Sequence, residues 1–500
     1  MTTVKTNTLE FDAQALREKI LDLAMRGKLV PQDPNDEPAS VLLEKIKAEK
    51  EQLIKEKKIK KKDWNLPEKH KIDNLPQGWQ KTSLKEITTP FTLNDGDWIL
   101  SKNMIPYSNV KLLQLGSIGE GKYIDKGFKY ISQDTFDELN CTEIKPGYLL
   151  VNRLINKQKM MATILPKIEG KLITAVDICW IAPSSYFNQE FMMYQLLSPA
   201  FQNKVNKLTS GSTRKRISKG NLTSIELFLP PLEEQSRIAA KIAQLFALLR
   251  KVESSTQQYA KLQTLLKSKV LDLAMRGKLV EQDPHDEPAS VLLKKIKAEK
   301  EQLVKEGKIK KSKLLPPVTD EEKPFDIPDS WEWVRLGDIG AITSGGTPKT
   351  SEKSYWINGT IPWITPAVMA KCKDQMIFNS ESVKRINNLG LEKSSAHLIP
   401  KNSLVVSSRA PIGYVNIVPF EYTTNQGCKS VSLYKDISEE FIYFALKNSV
   451  SDMNNRASGT TFKEISGTKF SQTIIPLPPL KEQTKISQKI RVLATIIHNF

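Results

Sequence analysis

A cluster of basic residues marks the segment of this chain whose residue types best suit an anionic ligand. Residues 210–219 read SGSTRKRISK, and four of the last six positions carry a cation: Arg214, Lys215, Arg216 and Lys219. Cations beside small hydroxyl residues suit phosphate oxygens, and an arginine can also donate two hydrogen bonds to guanine. This basic loop therefore predicts a contact with nucleic acid.

A related segment near the C-terminus keeps the small residues and changes the charged ones. Residues 458–466 read SGTTFKEIS, with Phe462 and Glu464 where the basic loop has Arg214 and Arg216, and with Lys463 between them. The shared Gly and Ile positions are explained by structure alone. The positions that differ are better candidates for reading a ligand.

Two further features supply candidate DNA contacts. The segment 343–351 is rich in small residues, which lets a backbone approach closely, although an ordinary tight turn explains it equally well. Its candidates are Ser344, Gly345, Gly346, Thr347 and Lys349. Arg153 and Arg409 end similar strand-like runs, VNR and SSR, and each is either a DNA contact or a surface cation. Lys157, which follows the first of these runs, completes the candidate set.

The sequence contains no recognisable catalytic constellation. Residues 116–122 approach a phosphate-binding loop, but Tyr123 follows where Ser or Thr would hold magnesium. The residues after it do not favour the helix that such a loop needs, so a strand turn is the better interpretation. The four cysteines and four histidines are scattered. We therefore expect no catalytic residue, no metal site and no cofactor bound by this chain.

The charge and the apolar pattern limit the class of protein further. The net charge of +18 favours an anionic partner. The Lys/Glu-rich segments 41–62 and 291–313 contribute +5 and +6 of it, which a solvated helix face would also explain. The N-terminus is polar, and no apolar run reaches about 18 residues. These features predict a cytoplasmic protein without a membrane partner.

The elements that carry the candidate residues repeat at half the chain length. Residues 21–61 recur at 271–311 with five differences in 41 positions. The motif LPPL-x-EQ at 229–235 returns at 477–483, and LPQGW at 75–79 is matched by IPDSW at 327–331. Strand-like runs bounded by Gly, Pro and Asn lie between these borders. The sequence predicts a mixed α/β protein with two globular domains, 75–230 and 327–478, on a repeated helical frame.

An apolar seam predicts how the helices of this frame are arranged. From Leu232 to about Leu279 the apolar spacing alternates between four and three residues, which is typical of a long coiled-coil helix. Residues 486–497 repeat the first half of that seam, and residues 9–23 repeat the second half. The second long helix is therefore predicted to be divided between the two termini. We expect long antiparallel helices, a pseudo-twofold arrangement and a circular organisation in which the termini meet.

Taken together, these features resemble the specificity subunits of type I restriction-modification systems. The resemblance rests on the AMRGKLVPQDPNDEPAS-type frame, on LPPL-x-EQ leading twice into a long helix, and on SGGTPKTSEKSYW…GTIPWI opening the second domain. It implies two α/β target recognition domains that each read one half of a split, asymmetric DNA site, with helices as the spacer. The first domain has FTLNDGDWIL in place of the GGTP-type loop, so its contacts do not transfer from the second domain.

The resemblance also implies partners and a division of the chain. It implies double-stranded DNA, two modification subunits that use S-adenosylmethionine to methylate adenine, and restriction or motor subunits that use ATP and magnesium. It implies an N-terminal helical region at 1–63, a central coiled-coil region at 231–313 and a C-terminal helix at 479–500. Two alternatives stay open: the recognition subunit of a fused nuclease-methyltransferase system, and a coiled-coil scaffold that does not bind DNA.

Overall fold

The structure is a computed structural model that describes residues 11–60, 75–211, 214–307, 314–459 and 463–497. It divides into two compact units, Met1–Thr256 and Gln257–Phe500. Each unit contains one of the predicted globular domains together with helices of the repeated frame.

The first unit contains a mixed set of helices and strands. In chain order they are α1 (Ala13–Met25), α2 (Ala39–Lys55), β1 (Gln80–Ser83), α3 (Leu84–Ile87), β2 (Leu93–Asp95), β3 (Val110–Leu113), β4 (Phe128–Ile131), α4 (Gln133–Glu138), β5 (Leu149–Asn156), β6 (Lys159–Ile164), β7 (Lys171–Thr174), β8 (Ile178–Ile181), α5 (Gln189–Leu197), α6 (Pro199–Lys207), α7 (Lys219–Ser224), β9 (Glu226–Leu229) and α8 (Leu232–Met275). Helix α8 continues into the second unit.

The second unit repeats most of this order. Its elements are α9 (Ala289–Lys305), β10 (Glu332–Arg335), α10 (Leu336–Ile339), β11 (Gly340–Ser344), β12 (Ile361–Ile364), α11 (Pro366–Met369), β13 (Lys384–Ile386), α12 (Asn388–Glu392), β14 (Ser403–Ser408), β15 (Ile412–Val418), β16 (Thr423–Thr424), β17 (Cys428–Leu433), α13 (Glu439–Asn448), α14 (Val450–Arg456), α15 (Gly467–Ser471), β18 (Ile474–Leu477) and α16 (Leu480–Ile496). It adds one short helix, α11, between β12 and β13.

The two domains share one sheet topology. A four-stranded antiparallel sheet has the order β2-β8-β5-β6 in the first domain and β11-β17-β14-β15 in the second. A three-stranded sheet has the orders β4-β3-β7 and β13-β12-β16, each with one parallel pair. The first and last strands of each domain pair antiparallel, β1 with β9 and β10 with β18. The predicted mixed α/β fold with two repeated domains is confirmed.

In the first unit, α1 runs antiparallel to the first half of α8. Arg17, near the start of α1, donates to Glu253 far along α8, with Nη1 3.1 Å from Oε1. Gly27, just past the end of α1, packs against Pro76 and the ring of Trp79. The Trp79 indole in turn donates to Glu234 in the first turn of α8. Opposite ends of the two helices therefore meet.

In the second unit, α16 runs antiparallel to the last part of α8. The Ile497 carbonyl, just past α16, accepts a hydrogen bond of 3.1 Å from Gln263 Nε2. Gly277, just past the end of α8, packs against Pro328. The nearby Trp331 donates to Glu482 in the first turn of α16. The same antiparallel pairing thus occurs in both units.

The long helix ends slightly earlier than its apolar seam predicts. The seam predicts a helix to about Leu279, whereas α8 ends at Met275, and the repeated helix α1 ends at the matching residue, Met25. Gly27 and Gly277 have φ angles of +65° and +67°, in the left-handed region that terminates helices. The Lys28 amide then donates to the Leu23 carbonyl at 2.9 Å, which completes the cap.

The apolar seam of α8 is buried at its ends. Ile238 and Ile242 pack in the core of the first unit with Leu21 of α1 and Phe191 of α5, and Val270 packs in the core of the second unit. In the middle, Val252, Tyr259 and Leu266 are exposed. The termini predicted to continue the second helix include residues 1–10 and 498–500. Those lie outside the described residues, so the circular closure stays a prediction.

Candidate nucleic-acid interface

The basic loop of the first domain is fixed to the main sheet through its backbone. Ser210 and Arg216 exchange hydrogen bonds of 3.0 and 2.9 Å. The Ile155 amide donates to the Lys215 carbonyl at 2.9 Å, and the Ile217 amide donates to the Arg153 carbonyl at 3.1 Å. The loop therefore lies along the end of β5 with a defined register. Ser212 and Thr213 lie outside the described residues.

The four cations of the basic loop differ in how they are held. Arg214 and Lys215 are exposed. Arg216 is half-buried, with its Nε 2.9 Å from Asp177 Oδ1. Lys219 begins α7 and donates to Asn94 Oδ1 at 2.7 Å. Lys157 is exposed in the tight turn between β5 and β6, next to the strand that carries the loop.

Arg153 is buried, and its guanidinium makes one ion pair and two hydrogen bonds. Its side chain is 3% exposed, and Nε lies 3.0 Å from Asp95 Oδ1. Nη1 donates to the Ile217 carbonyl at 3.2 Å and Nη2 to the Val176 carbonyl at 2.6 Å. These contacts tie β5 to β2 and to the basic loop, so the placement of Arg153 favours a supporting role over a direct DNA contact. Burial raises the pKa of the Asp95 carboxyl, and Arg153 is the first charge that opposes this shift.

The predicted match between Arg153 and Arg409 is wrong by one residue. The Arg153 carbonyl accepts from the Ile217 amide, and the Arg153 amide donates to the Asp177 carbonyl. The Ser408 carbonyl and amide make the corresponding bonds with the Ile465 amide and the Gly427 carbonyl. Ser408 is therefore the equivalent of Arg153. Arg409 corresponds to Leu154, and successive side chains of a strand point to opposite faces. Arg409 is consequently half-buried and points away from the position of Arg153.

The small-residue loop of the second domain has a counterpart in the first. The Gly345 and Gly346 amides donate to the carbonyls of Cys428 and Thr424. Gly96 and Asp97 make the same bonds to Ile178 and Thr174. Gly96 and Gly345 have no room for a side chain. A Cβ at Gly96 would lie 2.4 Å from the Ala175 carbonyl oxygen, and a Cβ at Gly345 would lie 2.0 Å from the Asn425 carbonyl oxygen. The divergent FTLNDGDWIL segment thus leaves its sheet as the GGTP-type loop does.

The candidates of the second domain surround a buried lysine. Lys429 Nζ contacts Ser408 Oγ at 3.3 Å, the Gln426 carbonyl at 3.0 Å and Glu464 Oε1 at 3.4 Å. Glu464 also lies 3.5 Å from Arg409 Nη1. Thr347 donates to the Gln426 side chain. The structure therefore brings Thr347, Arg409 and Glu464 to one end of the sheet.

The remaining candidates of the second domain are exposed around this cluster. They are Ser344, Lys349 and Lys463, while Gly345 is half-buried and Gly346 is buried. Thr460, Thr461 and Phe462 lie outside the described residues. Sequence reasoning missed Asn94, Asp95, Asp177 and Lys429, whose partners are distant along the chain.

Among the described residues, no group of His, Cys, Asp and Glu is arranged to hold a metal ion. The four cysteines are buried, and burial raises the pKa of Cys179 and of Cys428 to about 12. In the described part of the chain, no helix is long and apolar enough to cross a membrane. Within the Gly116–Lys122 segment the chain turns back, and Ile118 pairs with Tyr123 in a tight bridge. Strand β4 follows, as the strand-turn interpretation predicts.

Comparison with known proteins identifies the class to which these two repeated α/β domains with charged loops belong. The family described as the type I restriction modification DNA specificity domain matches residues 76–263 and 328–499. The specificity subunit of the type I restriction enzyme EcoAI of Escherichia coli is 30% identical, over 96% of this chain and 88% of that protein. The EcoEI specificity subunit of Escherichia coli is 34% identical, over 68% of this chain and 64% of that protein.

Solved structures show the same fold. An HsdS subunit from Thermoanaerobacter tengcongensis has a TM-score of 0.50 at 18% identity, covering 86% of this chain and 92% of that one. A chain from a type I restriction-modification system has a TM-score of 0.56 at 20% identity, covering 85% and 92%. The chain described here belongs to the type I restriction-modification specificity family.

Proposed function

We propose that this chain is the DNA specificity subunit of a type I restriction-modification complex. In this proposal each domain reads one half of a two-part DNA site, and the paired helices set the distance between the halves. The observation that carries the proposal is the combination of one shared sheet topology with different loop chemistry. Arg216 of the first domain and Glu464 of the second make the same backbone bonds yet carry opposite charges.

This combination suits the recognition of an asymmetric site. The shared sheet fixes where each loop lies, and the side chains on the loop decide which base edges fit. Exposed cations such as Arg214, Lys215 and Lys463 suit phosphate oxygens, which fix the register of a protein on the duplex without reading sequence. A basic chain of net charge +18 also gains affinity for DNA from counterion release.

The catalytic steps belong to partner subunits in this proposal. Modification subunits, two per complex, would bind S-adenosylmethionine and methylate adenine. Restriction subunits would use ATP and magnesium to move and cleave DNA. The chain itself would contribute the target recognition domains and the helical surfaces on which its partners assemble, in the cytoplasm.

DNA binding by the purified full-length chain tests this proposal against the scaffold alternative. We expect an electrophoretic shift with random duplex DNA whose affinity falls steeply as salt rises, because each neutralised phosphate releases counterions. A scaffold that binds only proteins would give no shift at low salt. Magnesium-dependent cleavage by the isolated chain would contradict the assignment of catalysis to partners.

A further inference from the structure

The two half-buried or buried arginines at the end of β5 have different numbers of free donors. Arg153 donates through Nη1 and Nη2 to two backbone carbonyls and forms an ion pair with Asp95. Among the described residues, the Arg216 side chain forms only an ion pair, in which Nε lies 2.9 Å from Asp177 Oδ1 without the geometry of a hydrogen bond. Within the described part of the chain, its Nη1 and Nη2 groups have no hydrogen-bond partner. Its side chain is 38% exposed, so this end of the guanidinium is open to a ligand.

The Asp177–Arg216 pair is braced from beneath. Arg153 Nη2 holds the Val176 carbonyl, next to Asp177, and Nη1 holds the Ile217 carbonyl, next to Arg216. The Arg153 amide also donates to the Asp177 carbonyl at 2.9 Å. One buried side chain therefore fixes the backbone on both sides of the ion pair. An arginine fixed in this way loses little conformational freedom when it binds a ligand.

We infer that Arg216 reads a guanine in the half-site of the first domain and that Asp177 is the positioning residue that aims it. The inference rests on the proposed function. With the guanidinium held in an ion pair by Asp177, the two terminal amino groups are left as a fork of donors, which matches O6 and N7 of guanine in the major groove. Arg214 and Lys215 are exposed and suit phosphates, which need no fixed orientation.

The second domain lacks this reading device. Glu464 replaces Arg216, and its two carboxylate oxygens face Lys429 and Arg409. Gly427 occupies the position of Asp177, because the Ser408 and Arg153 amides make equivalent bonds to these two residues. The guanine contact is therefore specific to the half-site read by residues 75–230.

Mapping of methylated adenines in cells that carry the complete system tests the inference. We expect Arg216→Ala to relax one G·C pair in one half of the motif to any base pair and to leave the other positions unchanged. Arg216→Lys keeps the charge without the fork and should relax the same pair. Asp177→Ala should relax it too, although Asp177 does not touch DNA. Arg214→Ala is the matched control, and it should lower the extent of methylation without changing the motif.

The outcomes separate this inference from the proposed function. An unchanged motif for Arg216→Ala, with only less methylation, would show a phosphate contact and overturn the inference. If a variant abolishes methylation, binding of the full-length chain to duplexes varied at each G·C pair decides. Discrimination should fall roughly 5- to 150-fold at one pair, and unchanged discrimination overturns the inference. A wild-type system that methylates no motif dependent on this chain would instead contradict the proposed function.

Discussion

The indole nitrogen of Trp79 donates a hydrogen bond of 2.9 Å to Glu234 Oε2 in the first turn of α8. Trp79 belongs to the motif that opens the first domain, and Glu234 to the motif that closes it. Trp331 and Glu482 form the same bond at 2.9 Å in the second domain. In the first domain, the side chain of Gln235, which follows Glu234, donates to the Pro230 carbonyl and accepts from the Asn188 amide. The repeated motifs thus join the two ends of each domain to a helix of the frame.

Replacing Glu234 should test this junction. Glu234→Ala leaves the buried Trp79 N–H without an acceptor, which costs about 1–3 kcal/mol of unfolding free energy. Glu234→Gln keeps an acceptor and should be tolerated. Glu233 is exposed beside it, so Glu233→Ala is the matched control and should have little effect. Thermal unfolding followed by circular dichroism measures the difference, and equal melting temperatures for both alanine variants would contradict the assigned role.

The same junction should depend on pH in a predictable direction. Burial raises the pKa of the Glu234 carboxyl, and the bond from Trp79 opposes that shift. A carboxyl with a raised pKa binds its proton more tightly in the folded state. Its contribution to stability is therefore full below the unfolded pKa of about 4.3 and is lost as the pH rises through the folded pKa. Glutamine does not titrate, so the melting temperature of Glu234→Gln minus that of the wild type should grow from about pH 4 to about pH 7. A difference that shrinks would contradict this sign.

The pairing of α1 with α8 predicts a contrast between two leucines of one helix. Leu21 is 5% exposed in the core that contains Ile238 and Ile242, whereas Leu16 is 42% exposed. Leu21→Ala should cost about 2–5 kcal/mol through the lost burial and the cavity. Leu16→Ala should change stability by about 0.5 kcal/mol or less. Urea unfolding measures both, and similar midpoints for the two variants would show that α1 does not pack as described.

Local patterns predicted much of the fold. The strand-like runs KLLQLGSI, GYLLVNRL and DICWIA overlap β3, β5 and β8, and TIPWI, SLVVSSRA and GYVNIV overlap β12, β14 and β15. The run FMMYQLL lies in α5, and all seven of its residues are buried. Short strands with less apolar sequences, such as β1 and β2, were not predicted. Their pairing with β9 and β8 depends on residues far away in the chain.

Only the part of the candidate site that consists of neighbours in sequence was predicted. The basic loop is visible because its cations are neighbours in sequence. The acid that holds Arg216 is not, since Asp177 becomes its neighbour only when β8 packs beside β5. The mismatch of Arg153 with Arg409 has a similar origin. An offset of one residue along a strand places the side chain on the opposite face of the sheet. This offset is set by hydrogen bonds to Ile217 and Ile465.

The exposed part of the basic loop should act through charge alone. Removing the Arg214 side chain should weaken binding to duplexes of any sequence and reduce the salt slope by about 0.9 if one phosphate contact is lost. Lys167 is an exposed lysine of the same domain outside the loop, so Lys167→Ala is the control. Fluorescence anisotropy of labelled DNA across a salt titration measures both. Equal slopes for wild type and Arg214→Ala would remove Arg214 from the interface.

An exchange of the first domain tests whether the domains read independently. Residues 75–230 form their own sheets and are bounded by the β1–β9 pair, so the corresponding domain of a related subunit should fit between the same borders. The hybrid should methylate a motif with one new half and one unchanged half. A motif changed in both halves would show that neither domain reads alone.

We expect this chain alone to determine a two-part DNA site. The most direct measurement is a genome-wide map of methylated adenine in host cells with the gene present and with the gene deleted. The expected motif has two defined halves separated by a fixed gap of undefined bases, and it is present with the gene and lost without it. A map that is identical in both strains, or a lost motif that is short and continuous, would show that this chain does not determine such a site.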